Sequence, residues 1–152
     1  MSSAPFVVNG WTVYFHPVFA ARFDGLLRRA EKARAAGRAG DPDLKLLAAV
    51  ARLVESVVPA DPDHADFRLA GDLARFRRAK GRGLPARHRL FWIFSTRARA
   101  IVFLYLNDES TLRKAGARSD PYVRFRTLVR RGEIGDDFES NAAAWRRARG
   151  RP

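Results

Sequence analysis

Apolar residues near the start of the chain alternate with polar ones, which is typical of a β-strand. Residues 6–15 are rich in β-branched and aromatic side chains, and Asn9-Gly10 in the middle indicates a turn or a bulge. Trp11, Val13 and Phe15 would share one face of the strand after this turn. The pattern therefore predicts extended chain up to Phe15.

A helical period replaces this alternation at Pro17. Apolar residues recur every three or four positions up to about Ala36, where glycines interrupt the pattern. Asp41 and Pro42 predict the start of a second helix, with Asp41 as its N-cap, and Pro59 predicts its end. Because the connection is short, the two helices are expected to be antiparallel neighbours.

Four short strands are predicted in the middle of the chain, at residues 67–69, 73–80, 87–95 and 99–106. The short turns between them favour an antiparallel meander. Residues 73–80 are also compatible with a helix, because Ala and Arg are good helix formers. The last two strands carry apolar residues on both faces, which indicates central strands covered on both sides.

Two further helices are predicted after the strands. Asp120-Pro121 is typical of a helix start and Gly132 of a helix end, and residues 136–145 predict a last short helix. The elements together predict an α+β fold with one domain over residues 1–152. In it, an N-terminal antiparallel helix pair packs on a small antiparallel β-sheet, followed by a C-terminal helix. Residues 1–5 and 146–152 are expected to be flexible.

Positive charge is concentrated in one part of the chain. The 29 Lys and Arg residues outnumber the 16 Asp and Glu residues, which gives a net charge of +13. Residues 73–107 contain nine basic residues and no acidic one. Such a segment indicates binding to a polyanion such as RNA or DNA. A membrane surface is a poorer candidate, because the basic residues fall on predicted strands and turns rather than on one amphipathic helix.

Several classes of protein and of site are disfavoured. No apolar run approaches the roughly 18 residues that span a bilayer, and residues 1–6 lack the pattern of a secretion signal. The chain has no cysteine, its three histidines are far apart, and it has no glycine-rich phosphate loop. We therefore expect a cytoplasmic protein with no metal and no cofactor.

The segment 107–122 carries most of the groups that could perform chemistry. It follows the most apolar run of the chain and contains carboxylates, basic side chains and a tyrosine. With the basic segment before it, this set suits cleavage of RNA, in which the 2′-hydroxyl is the nucleophile. Asp108 or Glu109 would be the base, and Lys114 or Tyr122 would assist the leaving group.

Arginines would bind the phosphate in such a reaction and stabilise its added charge. The candidates for this role are Arg87, Arg89 and Arg113, and those for binding RNA nearby are Arg78, Lys80, Arg82, Lys114 and Tyr122. Structural roles stay open for three of the candidates, because Asp108 could cap the turn, Tyr122 could belong to the core, and Arg89 could pair with Asp108. From the chemistry alone, nucleic-acid binding is better supported than catalysis.

Three blocks of residues resemble the YhaV family of bacterial toxins. They are Asn9-Gly10-Trp11 with His16-Pro17, Arg89-Leu90-Phe91 with Phe94-Ser95, and residues 107–116 with Asp120-Pro121-Tyr122. The resemblance runs from about residue 9 to residue 138. It implies a RelE-like fold and a metal-free ribonuclease that stops translation and arrests growth as the toxin of a type II toxin–antitoxin pair.

The resemblance also implies partners and site residues. The partners are RNA, a cognate antitoxin of the PrlF type with an AbrB-like DNA-binding domain, and operator DNA bound by the toxin–antitoxin complex; a need for the ribosome stays open. The catalytic positions correspond to Arg87 and Arg89 and to residues 107–114. Ile93 stands where relatives often have an arginine, which keeps an alternative open: a non-catalytic nucleic-acid-binding module or a degenerate toxin that acts as a corepressor.

Overall fold

The computed structural model describes residues 4–108 and 120–149 of the chain. The strands are β1 (Phe6–Val8), β2 (Trp11–Phe15), β3 (Arg77–Ala79), β4 (Leu90–Ser95) and β5 (Ala100–Leu106). The helices are α1 (Pro17–Ala35), α2 (Pro42–Arg52), α3 (Val58–Ala60), α4 (Pro121–Arg130) and α5 (Phe138–Arg149). A π-helical turn (Leu53–Val57) joins α2 to α3, and 3-10 turns form at Ala65–Phe67 and Gly71–Leu73. The α+β class is therefore confirmed.

The five strands form one mixed sheet with the order β1-β2-β5-β4-β3. The meander of β3, β4 and β5 is antiparallel, as predicted. The prediction of a wholly antiparallel sheet is wrong, because β2 pairs with β5 in parallel. The helices after β2 bring the chain back to the end of the sheet where β2 began, and a parallel neighbour requires such a crossover.

The two N-terminal strands form a hairpin around Asn9-Gly10. Both turn residues have positive φ angles, 51° for Asn9 and 80° for Gly10, which suit a tight two-residue turn. The Asn9 side chain also donates a hydrogen bond to the carbonyl oxygen of Pro59 at 3.0 Å. The predicted apolar face of β2 is confirmed, because Trp11, Val13 and Phe15 are all buried.

Two predicted strands differ from the structure. The segment 67–69 is not a strand, because Ala65–Phe67 forms a 3-10 turn and only Arg68 bridges to β3. The strand predicted at 73–80 shortens to Arg77–Ala79, because a 3-10 turn occupies Gly71–Leu73. Phe67 and Leu73 are nevertheless buried. Their side chains enter the core from turns, so the apolar pattern indicated burial rather than strand.

The second helical stretch ends at Ala60, one residue after the predicted end at Pro59. The π-helical turn explains how the helix tolerates this proline. In that turn the Val58 N–H bonds to the carbonyl oxygen of Leu53, one residue further back than in an α-helix. The wider turn accommodates Pro59, which has no N–H to donate.

Apolar cores lie on both faces of the sheet. On one face β2 and β4 pack with α1 and α2 in the first core, which includes Leu90 and Trp92. On the other face Phe91 and Ile93 pack with residues of α4 and α5, such as Phe125, in the second core. All seven residues of β5 are buried. The prediction of a central strand covered on both sides is therefore confirmed for β5.

The C-terminal helices begin and end as local signals predict, with one exception. Asp120 caps α4, and Gly132 follows that helix with a φ of 74°. The last helix was expected to end at residue 145, but α5 continues to Arg149. Among the described residues, no helix has both the length and the apolar character needed to cross a membrane.

Asn141 holds the loop before α5. Its side chain is fully buried. The Oδ1 atom accepts a hydrogen bond from the Gly135 N–H at 2.9 Å, and Nδ2 donates to the carbonyl oxygens of Gly135 and Asp137 at 3.0 and 2.7 Å. These three bonds satisfy the buried amide.

His16 is expected to make folding stability depend on pH. It is buried at the junction of β2 and α1, where its Nδ1 accepts a hydrogen bond from the Val18 N–H. Burial first, and the charge of Arg147 second, lower the pKa of His16 from 6.5 to about 4. The folded protein therefore resists protonation, and its free energy of unfolding should fall by up to about 3 kcal/mol as the pH drops from 6.5 towards 4.

Urea unfolding of the wild type and the His16→Asn variant between pH 7 and pH 4 measures this effect. The asparagine keeps a side-chain acceptor for the helix start but does not titrate. The wild type should lose more stability than the variant over this range. Parallel stability curves would show that His16 is not the group responsible.

Candidate nucleic-acid site at the end of β5

Basic residues of the connection between β3 and β4 lie at one end of the sheet. Leu90 pairs with both Ala79 and Leu106, so residues 80–89 lie beside the end of β5. Arg97 and Arg99 belong to the turn between β4 and β5. The six residues of β4 separate the two groups by roughly 20 Å. Residues 73–107, the acid-free segment, therefore present their positive charges at two opposite ends of the sheet.

Asn107, directly after β5, holds the start of β4. Its side chain is fully buried. The Oδ1 atom accepts a hydrogen bond from the Arg89 N–H at 2.7 Å, and Nδ2 donates to the carbonyl oxygen of Arg87 at 3.0 Å. The side-chain amide thus takes the place of a peptide group and extends the pairing of β4 and β5 beyond Leu90 and Leu106.

A third arginine reaches the same residue from α1. Arg22 donates hydrogen bonds from Nε and Nη2 to the carbonyl oxygen of Asn107, at 3.3 and 3.0 Å. Arg87 is exposed and has a φ of 66°, a backbone conformation that is unfavourable for a residue with a side chain. We call Asn107 and its partners Arg22, Arg87 and Arg89 the Asn107 clamp.

Arg89 is oriented by α4. Its Nε donates to the Tyr122 hydroxyl at 3.1 Å, and its Nη1 donates to the carbonyl oxygen of His88 at 2.9 Å. Tyr122 in turn packs edge-on against Phe91, and its N–H bonds to Asp120 at 2.8 Å. Within the described part of the chain, Nη2 of Arg89 has no hydrogen-bond partner. This nitrogen can donate to a bound anion.

The structure unites some of the predicted catalytic residues. Arg87 and Arg89 belong to the clamp, and Asp108 is exposed immediately after Asn107. Glu109, Arg113 and Lys114 lie in residues 109–119, outside the described part of the chain. Tyr122 is half-buried and contacts Arg89, so the core and site roles considered for it are compatible.

The predicted RNA-binding residues of the basic connection have different environments. Lys80 and Arg82 are exposed, and Arg82 pairs with Asp66 at 3.1 Å. Arg78 is only 8% exposed, and its Nη1 lies 3.4 Å from the carbonyl oxygen of Asp66. Arg78 alternates with Arg77 and Ala79 and faces the second core with its strand partner Phe91. A direct contact between Arg78 and RNA is therefore not expected in this conformation.

Asp63 compensates part of the positive charge. It accepts hydrogen bonds from Arg68 and Arg77 at 3.1 and 2.9 Å. Burial alone would raise the pKa of the Asp63 carboxyl, but the hydrogen bonds and charges of the two arginines hold it below its ordinary value. Arg77 is thus engaged within the fold, although the sequence places it in the acid-free segment.

Two residues differ from what the sequence predicts. The sequence pattern gives no sign of the contact that Arg22 makes, although this residue lies three positions after Phe19 and interrupts the apolar face of α1. Ile93 stands where relatives often have an arginine, but its side chain is only 5% exposed and packs in the second core. An arginine at this position of this chain would face the core rather than a bound phosphate. Ile93 therefore gives no support to a non-catalytic protein.

Metal ligands are not grouped in the described part of the chain. Residues 4–108 and 120–149 contain no cluster of three or more His, Cys, Asp or Glu side chains that could hold a metal ion. The site at the end of β5 presents guanidinium groups, a phenol and one carboxylate. The guanidinium groups and the phenol are hydrogen-bond donors that suit a phosphate group, and the carboxylate can accept a proton.

Comparison with known proteins points to one family. Residues 13–145 match the model of a family described as a toxin with endonuclease activity, of a toxin–antitoxin system. "Ribonuclease toxin YhaV" of Escherichia coli K12 is 32% identical over 143 residues, covering 88% of this chain and 90% of the relative. "Toxin YhaV" of Escherichia coli O6:H1 is 34% identical with the same coverage. No solved structure matches the chain.

The cap of α4 is expected to support both stability and the site. Asp120→Ala removes the acceptor for the Tyr122 and Val123 N–H groups and should lower the free energy of unfolding by about 1 kcal/mol. Because Tyr122 orients Arg89, the variant should also bind short single-stranded RNA more weakly.

Asp41→Ala is the matched control, since Asp41 caps α2 in the same way. It should reduce stability similarly and leave RNA affinity unchanged. Urea unfolding and fluorescence anisotropy measure the two quantities. Equal RNA affinity of the two variants would contradict a role of the α4 cap in placing Arg89.

Proposed function

The chain belongs to the YhaV family of toxins, and on this basis we propose that it is a metal-independent endoribonuclease that cleaves RNA, with mRNA as the main substrate. The observation that carries the proposal is the Asn107 clamp. It holds the main chain of Arg87 and Arg89 at the end of β5, and Asp108 follows Asn107 in the sequence. These groups suit a phosphodiester, whose reaction requires added negative charge to be stabilised.

Cleavage follows from the chemistry of RNA itself. The 2′-oxygen attacks the adjacent phosphorus, a P–O2′ bond forms, and the P–O5′ bond breaks. The products are a 2′,3′-cyclic phosphate and a 5′-hydroxyl. The proton of the 2′-hydroxyl passes to a base, for which we propose Asp108 or Glu109, and the 5′-oxygen receives a proton from Lys114 or Tyr122.

Arginines stabilise the transition state in this mechanism. Arg87, Arg89 and Arg113 bind the phosphate oxygens with charge-assisted hydrogen bonds, which are stronger than neutral ones. The contacts of Arg89 with Tyr122 and the His88 carbonyl support its role, because they fix the guanidinium before the substrate binds. Removal of one such donor typically lowers a rate by about 100-fold or more.

RNA on either side of the cut phosphate would follow the basic connection between β3 and β4. Lys80 and Arg82 are exposed there. Arg82 would exchange its pair with Asp66 for a phosphate. Such exposed ion pairs contribute only about 0.2–1 kcal/mol, so the exchange is inexpensive. Lys114 would add a further basic group from the segment after β5.

The first test is incubation of the purified protein with end-labelled RNA in EDTA, with and without ribosomes. The RNA should be cut, and a single 2′-deoxy substitution at the mapped site should block the cut. Arg89→Ala should lower the rate by about 100-fold or more. Arg97→Ala removes the same charge at the opposite end of the sheet and should leave the rate nearly unchanged.

Two results would overturn this proposal. Tight, salt-sensitive binding of RNA that stays intact, with and without ribosomes, would indicate a binding module. Loss of cleavage in EDTA that returns with a divalent cation would indicate a metal-dependent enzyme.

We further propose that an antitoxin of the PrlF type, with an AbrB-like DNA-binding domain, neutralises this activity in the cytoplasm. RNA cleavage without the antitoxin would inhibit translation and growth, and the complex would bind its operator DNA. The family description supports an antitoxin partner, and the net charge of +13 suits an acidic binding segment.

The protein encoded by a small neighbouring open reading frame should abolish RNA cleavage when it is added in excess. A titration followed on a denaturing gel measures this inhibition. Cleavage that continues at saturating concentrations of that protein would contradict its assignment as the antitoxin.

A further inference from the structure

A fully buried asparagine at the end of an apolar strand requires an explanation. The seven residues of β5 before it are all apolar and buried. Burying a side-chain amide costs free energy unless its donors and acceptor are satisfied, so an apolar residue would continue the strand more simply. Asn107 avoids the cost by bonding to the backbone of the two arginines that the proposed reaction uses.

The bonds of Asn107 fix two alternate residues of one segment. Its Oδ1 accepts a hydrogen bond from the Arg89 N–H, and its Nδ2 donates to the Arg87 carbonyl oxygen, so the main chain of both residues is tied to the end of β5. The intervening His88 is buried. The positive φ of Arg87 needs such external support, because an unrestrained chain would leave this conformation.

The main chain of Asn107 is also held, from the opposite direction. Arg22 donates two hydrogen bonds to its carbonyl oxygen from α1, which packs against the first core through Phe19 and Phe23. The clamp therefore connects the rigid helix α1 to the start of β4 through a single residue. A displacement of about 1 Å at a reacting group can lower a rate by about 100-fold, so this rigidity has catalytic value.

We propose that Asn107 is a positioning residue that holds Arg87 and Arg89 so that both guanidinium groups bind the phosphate of the RNA. This inference rests on the proposed function, because it assigns Asn107 a role in binding that substrate. Asn107 itself does not contact the phosphate in this scheme.

The decisive variant is Asn107→Ala, which removes no charge. If Asn107 places the two arginines, the variant should cleave RNA about 10- to 100-fold more slowly. It should also bind a non-cleavable 2′-deoxy oligonucleotide with a weaker dependence on salt. The plot of the logarithm of the binding constant against the logarithm of the salt concentration has a negative slope. For a single strand, each lost phosphate contact reduces the magnitude of this slope by about 0.7. Arg89→Ala provides the reference for one lost contact.

Asn141→Ala is the matched control. Asn141 is the other fully buried asparagine in the described part of the chain, and its side chain makes three hydrogen bonds to backbone groups of a loop, against two for the side chain of Asn107. Its loss should reduce the melting temperature as the loss of Asn107 does. The cleavage rate of the folded protein and the salt slope should stay at wild-type values, because the loop before α5 holds none of the proposed phosphate ligands.

Asn107→Ser keeps the test decisive if the alanine variant does not fold. The hydroxyl is neutral and can satisfy one of the two backbone groups without adding charge, so a smaller loss of rate and of salt slope is expected. Wild-type rate and slope in a folded Asn107 variant would overturn the positioning role. A wild-type protein that neither cleaves nor binds RNA would instead contradict the proposed function.

Discussion

The burial of β5 on both faces is the constraint on which the rest of the structure depends. A strand without a solvated side must be covered by helices on both faces of the sheet, and α1 and α2 on one face and α4 and α5 on the other provide this cover. Polar chemistry then has no place along the strand itself. It is concentrated where the strand ends, at Asn107 and Asp108.

The same constraint explains why the site combines distant parts of the sequence. Helix α1 contributes Arg22, the start of β4 contributes Arg87 and Arg89, and α4 contributes Tyr122. Each of these elements contacts β5 or packs against a core that includes residues of β5. One end of each element therefore lies near the C-terminal end of β5. Asp63 and Asp66 neutralise other arginines nearby. The arrangement of charges at this surface therefore differs from the count of basic residues in the sequence.

Local signals in the sequence predict the helix boundaries and the hairpin well. Asn9-Gly10, Asp120 and Gly132 each act through the backbone conformation of one or two residues, which the sequence determines directly. The parallel pairing of β2 with β5 could not be predicted in this way, because it depends on contacts between distant residues. Phe67 shows a second limit, since an apolar residue can enter the core from a turn as well as from a strand. For the candidate site, the sequence predicts Arg87 and Arg89, which the structure holds at Asn107, but the contact of Arg22 with the same residue spans 85 positions of the chain and leaves no local signal.

The pairing of β2 with β5 also determines when the protein becomes complete during synthesis. The hairpin of β1 and β2 and the helix α1 leave the ribosome early, yet Thr12 to Phe15 must wait for Ala100 to Phe103 before the sheet can close. Pairing over such long sequence separations slows folding. Arg22 likewise has no Asn107 to hold until β5 has emerged. A nascent or truncated chain that ends before β5 therefore contains Arg22, Arg87 and Arg89 but lacks Asn107, the residue at which the structure brings them together.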